Sequence, residues 1–284
     1  MVVRQTEHRE GLKALTYRDS RSNAHLKDSA FSCRSSTHPN PVVLLHGLGA
    51  NQNEDLNYLE TYLQSQSYCT FSLTYGAFPQ YPEVGGLRFI NESAPQVASF
   101  IQEVHTNTGA TKIDVVGHSE GAFQSLYMPK FNGISGIVDK IVAIAPPTHG
   151  TTFGGIYAPF YLLGNLTIGL ADEILNTVGC PACGDLVTGG AAVQRLNDGA
   201  PIVQSGNTLT VIASKDDELV TPTTTAFVNE AGVSNMYVQE TYPLDPVGHI
   251  GEAYDTNVWN LVVNALNTTP KRAFACSFGS PGKL

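Results

Sequence analysis

No run of basic side chains in this sequence is longer than Lys271-Arg272, and the formal net charge is −9. A protein that neutralises phosphates needs clustered Lys and Arg, so the charge balance argues against a nucleic-acid partner and against purely electrostatic attraction to anionic membranes. Nor is there an unbroken apolar run of the ~20 residues that a membrane-spanning helix needs. The most apolar stretch, Ile156 to Leu175, is interrupted by Pro159, Gly164, Asn165 and Asp172-Glu173. Cys180-x-x-Cys183 lacks a second C-x-x-C or an H-x3-5-H pair, so no zinc ligand set is expected, and no cofactor. Met1 to Asn23 is charged and polar and lacks the apolar core of a signal peptide. Charge is scarce altogether, at 14% of residues against 42% apolar, which leaves ample material for a core and excludes global disorder.

The cysteines, Cys33, Cys69, Cys180, Cys183 and Cys276, are odd in number, so at least one is unpaired within the chain. Glycosylation sequons begin at Asn91, Asn165 and Asn267. Sequons and paired cysteines together point to a secretory route. The polar N-terminus points the other way, and the expectation is a secreted protein, a monomer, whose start has been altered.

Residues 1–40 show no sustained periodicity. The reading is an N-terminal arm over 1–30 and a single domain over 31–284. Pro41 to His46, Cys69 to Tyr75, Ile113 to Val116, Lys140 to Ala145, Leu209 to Ala213 and Met236 to Thr241 read as strands. Asp55 to Gln66, with Leu56, Leu59 and Leu63 at helical spacing, Glu92 to His105 and Asn257 to Leu266 read as helices. Alternating strands and helices predict an α/β fold with a mostly parallel sheet covered on both faces, its chemistry at the carboxyl ends of the strands. Residues 151 to about 192 are too long for an ordinary connection and predict an inserted cap. A buried extra helix is the plainer alternative.

The chain is organised around Ile113 to Phe123, where a β-branched run enters Gly117-His118-Ser119-Glu120-Gly121 and a helix-compatible stretch follows. In that strand–turn–helix context G-x-S-x-G has mechanical meaning: the turn strains the central residue, and side chains at either flank would collide with neighbouring elements. Ser119 is therefore the candidate nucleophile. A serine hydroxyl needs a base, and the base needs an orienting group. His249, in a loop between the last strand and last helix, is the preferred base, with His149 second. His118 lies within the turn, its ring expected to face inward, and His46 is expected to support the following glycine loop. Asp217, in the acidic turn after the Leu209 strand, is the preferred acid, with Asp216 its solvated neighbour. The order Ser119, Asp217, His249 is that of α/β-hydrolases. The backbone N–H groups of Leu48 and Glu120 are the candidate oxyanion donors.

His46-Gly47-Leu48-Gly49, Gly117-His118-Ser119-Glu120-Gly121, Ala145 to Thr152, Ser214 to Pro222 and His249 to Asp255 together resemble microbial triacylglycerol lipases, closest to actinomycete class-2 lipases and fungal lipase B-type enzymes. The resemblance covers roughly 31–267 and implies the same triad and oxyanion donors. It also implies disulfides Cys33–Cys69 and Cys180–Cys183, with Cys276 left over. These lipases commonly place Gln or Met after the nucleophile, and here Glu120 stands there. Its carboxyl is expected to point away from a developing oxyanion or to hold its proton.

The leading functional expectation is a secreted lipase or carboxylesterase acting on hydrophobic esters through a Ser119 acyl-enzyme, with His149, Ile156, Phe160 and Leu163 lining the acyl groove and an oil–water interface as a working surface. A polyester hydrolase or acyltransferase shares the same acyl-enzyme. A non-catalytic binding protein of this fold would normally lack one member of the triad.

Overall fold

Successive residues of the first strand, β1 (Val42–Leu45), serve opposite faces of the sheet. Val43 and Leu45 join one apolar core, Val42 and Leu44 the other, as the period-2 geometry of a strand requires. The computed structural model describes residues 30–153 and 177–267 of the chain. β1 is followed by α1 (Asn57–Ser65), β2 (Thr70–Ser72), α2 (Ile90–Thr108), β3 (Ile113–His118), α3 (Glu120–Phe131), β4 (Val138–Ile144), α4 (Pro181–Leu186), α5 (Ala191–Leu196), β5 (Thr208–Ala213), β6 (Ser234–Tyr237), α6 (Val238–Thr241), α7 (His249–Tyr254) and α8 (Thr256–Leu266). The six strands form one sheet in the order β2-β1-β3-β4-β5-β6, and every described pairing is parallel. Among the described residues β2 and β6 are the two margins, with three and four residues.

One core packs α2 and α3 against the sheet through Val97, Ile101, Phe123 and Leu126. The other packs α1 and α8 through Leu59, Leu63, Val258 and Val262. Apolar side chains on both faces explain why the strands read as near-continuous hydrophobic runs rather than alternations. Asp255 sets the start of α8, its carboxylate accepting the N–H groups of Asn257 and Val258. Gly109 ends α2 in the left-handed region, φ 65°.

Some boundaries differ from the sequence reading. The expected strand Met236–Thr241 is instead β6, Ser234–Tyr237, followed by the helical turn α6, because the chain turns as soon as β6 has paired with Thr210–Ala213 of β5. The second strand is confined to Thr70–Ser72, since β1 offers it only three partners.

Disulfides join Cys33 to Cys69 and Cys180 to Cys183. The first ties the segment before β1 to the start of β2; the second braces the first turn of α4. The expected arm (1–30) lies outside the described residues except for Ala30. So do most of the expected cap, with Ile156, Phe160, Leu163 and Asn165, and Cys276. The described ends of that stretch meet: the Thr188 N–H donates to Thr151 O at 3.0 Å, and the Thr151 N–H donates to Leu186 O at 3.0 Å. α4 is anchored to the start of α2 by the Asp185 carboxylate, which accepts the Ile90 N–H at 2.9 Å. Among the described residues no helix is long and apolar enough to cross a membrane.

Candidate active site

β3 ends by delivering Ser119 into a backbone conformation of φ 54° and ψ −118°, left-handed for a residue with a side chain. The flanking glycines show why the turn tolerates nothing larger. A Cβ on Gly117 would strike the Gly121 carbonyl, and one on Gly121 would strike the Leu45 carbonyl. The strain is held by neighbours on both sides: the Ser119 N–H donates to Ile144 O at 2.8 Å, and Ser119 O accepts the Phe123 N–H at 3.0 Å.

Ser119 Oγ lies 2.9 Å from His249 Nε2, and His249 Nδ1 lies 2.8 Å from Asp217 Oδ2. The other oxygen of Asp217 accepts the N–H groups of Leu219 and Val220, each at 2.8 Å, so the carboxylate cannot swing away. His249 heads α7, and its own N–H donates to Glu218 Oε2 at 3.1 Å. Burial by itself lowers the pKa of His249, but the Asp217 carboxylate, with Glu218 and Asp55 behind it, outweighs burial and holds it above the ordinary 6.5. A hydroxyl, an imidazole and a carboxylate in this line can move a proton from Oγ to Nε2 while the carboxylate fixes the tautomer. Asp216, the neighbouring carboxylate, is solvent-exposed, as expected.

The glycine loop after β1 abuts the serine. A Cβ on Gly47 would stand 3.3 Å from Ser119 Cβ and 3.5 Å from His118 Nδ1. Neither the Leu48 nor the Glu120 N–H is taken by a described residue; Glu120 opens α3, where N–H groups have no intrahelical acceptor. The orientation of the Leu48 N–H is fixed through its peptide. His46 Nδ1 bonds the Gly47 carbonyl at 2.8 Å, while His46 Nε2 faces the Tyr75 N–H at 3.3 Å. Nε2 is therefore the acceptor and Nδ1 the donor, and burial lowers the His46 pKa to about 4, which keeps the ring neutral. Because a trans peptide points its N–H opposite its C=O, the bond on Gly47 O aims the Leu48 N–H. His46 thus supports the loop and transfers no proton.

His118 faces inward, as expected, but it is more than filler. Its Nδ1 lies 2.9 Å from Asp55 Oδ1 and its Nε2 3.0 Å from the carbonyl of His249. The sequence reading passed over Asp55, taking it as the start of a helix that in fact begins at Asn57. A histidine inside a strand buried on both sides was the available signal, since its nitrogens require partners. His149 is exposed, its Nε2 2.9 Å from Phe227 O.

Two further carboxyls are wholly buried near the site. Glu120 lies against Gly86, and burial drives its pKa well above the usual carboxylate range, so the residue after the serine carries no charge. Burial, rather than hydrogen bonding, keeps its proton. Glu252, one turn beyond His249, is likewise raised well above that range by burial and by Asp217. His118, His249 and Glu252 place ligand-type atoms within 4.8 Å of one another, yet the nitrogens of both rings are already engaged by Asp55, Asp217, Ser119 and a carbonyl.

A parallel sheet with a strained serine after β3, an acid after β5 and a histidine beyond the last strand defines an α/β-hydrolase. Solved structures agree on the fold. Aspergillus fumigatus lipase B superposes with a TM-score of 0.63 at 21% identity, over 86% of this chain and 55% of that one. A 2-hydroxy-6-oxo-6-phenylhexa-2,4-dienoate hydrolase from Rhodococcus gives 0.53 at 14% identity, over 80% of this chain and 91% of that one. The profile of the lipase (class 2) family matches residues 39–256, and the chain belongs to that family. A triacylglycerol lipase of Pseudarthrobacter phenanthrenivorans is 28% identical over 118 residues, 40% of this chain. The chain spans about a third of the length of the curated relatives it matches.

Proposed function

We propose that this chain is a secreted serine hydrolase that cleaves carboxylic esters of hydrophobic acyl groups, a lipase or carboxylesterase, through an acyl-enzyme on Ser119. The observation that carries the reading is the continuous line from Ser119 Oγ through His249 to Asp217, with links of 2.9 and 2.8 Å. Ser119 Oγ attacks the ester carbonyl carbon as its proton passes to His249 Nε2. The carbonyl oxygen becomes an oxyanion that receives the Leu48 and Glu120 N–H groups, donors of a kind worth about 3–4 kcal/mol each at the transition state. The tetrahedral intermediate collapses, His249 returns the proton to the departing alkoxide, and the alcohol leaves Ser119 acylated. Water then enters with His249 as base, and the carboxylic acid departs.

Membership of the lipase family and the apolar sequence from Ile156 to Leu175 favour a hydrophobic acyl group. On this reading Ile156, Phe160 and Leu163, with His149, line the acyl groove. The disulfides fit an oxidising compartment. A fluorophosphonate probe is expected to label the chain covalently and Ser119→Ala to abolish labelling. An unlabelled parent chain, or labelling that survives the substitution, would sink the proposal. Nitrophenyl esters from acetate to palmitate then separate the readings: turnover confined to acetate and butyrate would place the chain among plain esterases.

A further inference from the structure

A second histidine–carboxylate pair stands beside the first. The rings of His118 and His249 have centroids 4.9 Å apart, and both residues are buried. In the proposed mechanism His118 touches no reacting atom. Its partner Asp55 comes from the loop between β1 and α1, where it adopts a left-handed φ of 62° although it is not glycine. Aspartate enters that region more readily than most residues with a side chain, and here its contacts hold it there. The contacts are on view. Asp55 Oδ2 accepts the Gly47 N–H at 2.6 Å, both its oxygens lie within 3.1 Å of His118 Nδ1, and the Asp55 N–H donates to Tyr254 Oη at 3.0 Å. Asp55 does not cap α1, whose N-cap is Leu56 with no side-chain bond.

These bonds form a closed circuit. Gly47 carries the carbonyl of the peptide whose N–H belongs to Leu48, the donor assigned to the oxyanion. His118 Nε2 holds the carbonyl of His249 at 3.0 Å, and Tyr254 lies at the far end of the helix that His249 begins. One buried carboxylate and one imidazole therefore touch the loop that carries the oxyanion donor, the residue before the nucleophile, and both ends of α7.

We propose that Asp55 and His118 are a positioning pair that sets the oxyanion loop and the His249 backbone relative to each other, with a hydrogen on both ring nitrogens of His118. The first part rests on the serine-hydrolase reading; the second stands on geometry alone. Both nitrogens of the ring face oxygen acceptors, a carboxylate and a carbonyl. A neutral imidazole has a single N–H and would turn a lone pair towards one of those oxygens in a buried setting. A proton on Asp55 instead would satisfy the same count, but the short Gly47 N–H bond favours the carboxylate, and the second proton goes to the ring.

The test uses Asp55→Asn, His118→Gln and the double variant, with active sites counted by fluorophosphonate titration. For a short-chain nitrophenyl ester each single variant is expected to lose about 10²-fold in kcat per titrated site, as misplaced catalytic groups do, with KM little changed. The double variant is expected to lose no more than the worse single, because the two act as one unit. Parental kcat per titrated site would overturn the proposal, as would losses that multiply. Nitrogen-15 spectra of the imidazole rings in the parent chain, assigned through couplings and through-space contacts within that chain alone, decide the second part even if the variants do not fold. Two N–H signals from His118 support it; one N–H and one bare pyridine-type nitrogen refute it. A parent chain that takes no probe would defeat the serine-hydrolase reading instead, and the ring spectrum would still stand.

Discussion

On the proposed reading, His249 and His118 have nearly the same equipment and opposite jobs. Each has Nδ1 within 2.9 Å of a buried carboxylate, Asp217 for one and Asp55 for the other. The difference lies at Nε2: His249 meets the hydroxyl of Ser119 at 2.9 Å, whereas His118 meets a main-chain carbonyl at 3.0 Å. A hydroxyl can give up its proton, so the ring facing it can act as a base. A carbonyl only accepts, so the ring facing it can act only as a donor. The atom opposite the far nitrogen, rather than the carboxylate behind, separates a proton carrier from a strut.

That contrast can be broken most decisively at the acids. Asp217→Asn is expected to lower kcat about 10⁴-fold, because the amide no longer selects the productive tautomer of His249. Asp55→Asn should cost about two orders of magnitude less than that, since it disturbs placement alone. Equal losses in the two variants would erase the distinction.

The pH dependence sharpens it. His249 must be unprotonated to accept the serine proton, so kcat/KM is expected to fall as pH drops through its pKa, with a midpoint above the ordinary 6.5. Asp217→Asn removes the strongest charge raising that pKa, and the acid limb should move to lower pH. A pH–rate series on the parent and on Asp217→Asn checks the sign. The smallest effect is expected at Glu120→Gln, which should stay within a few-fold of the parent kcat, because the buried carboxyl is already neutral. A loss of several orders of magnitude there would give that side chain a task outside this account.

What could be read from the sequence follows from how local each signal is. The turn around Ser119 was legible because strand, glycines and helix lie within about a dozen consecutive residues, and the glycine contacts show the crowding that the motif implied. Asp217 and His249 were legible because each occupies a loop of recognisable shape after a strand. The Asp55–His118 pair joins positions 63 residues apart through a left-handed aspartate, and nothing in the neighbouring sequence marks such a conformation. Asp55 looked like the head of α1, and only the fold shows its carboxylate turned away from that helix towards Gly47. Val238 to Thr241 misled for a different reason: β-branched Val238 and Thr241 suit a strand, but the chain there has already left its pairing partner.

The brevity of the outer strands also has a consequence beyond the chemistry. An open sheet leaves its outermost backbone groups available, and a long bare margin is a template on which another copy can lay down its own strand. Here those margins run for three and four residues, and the shorter begins directly after a disulfide-bonded cysteine. Among the described residues, so brief a template gives a second copy little to zip onto.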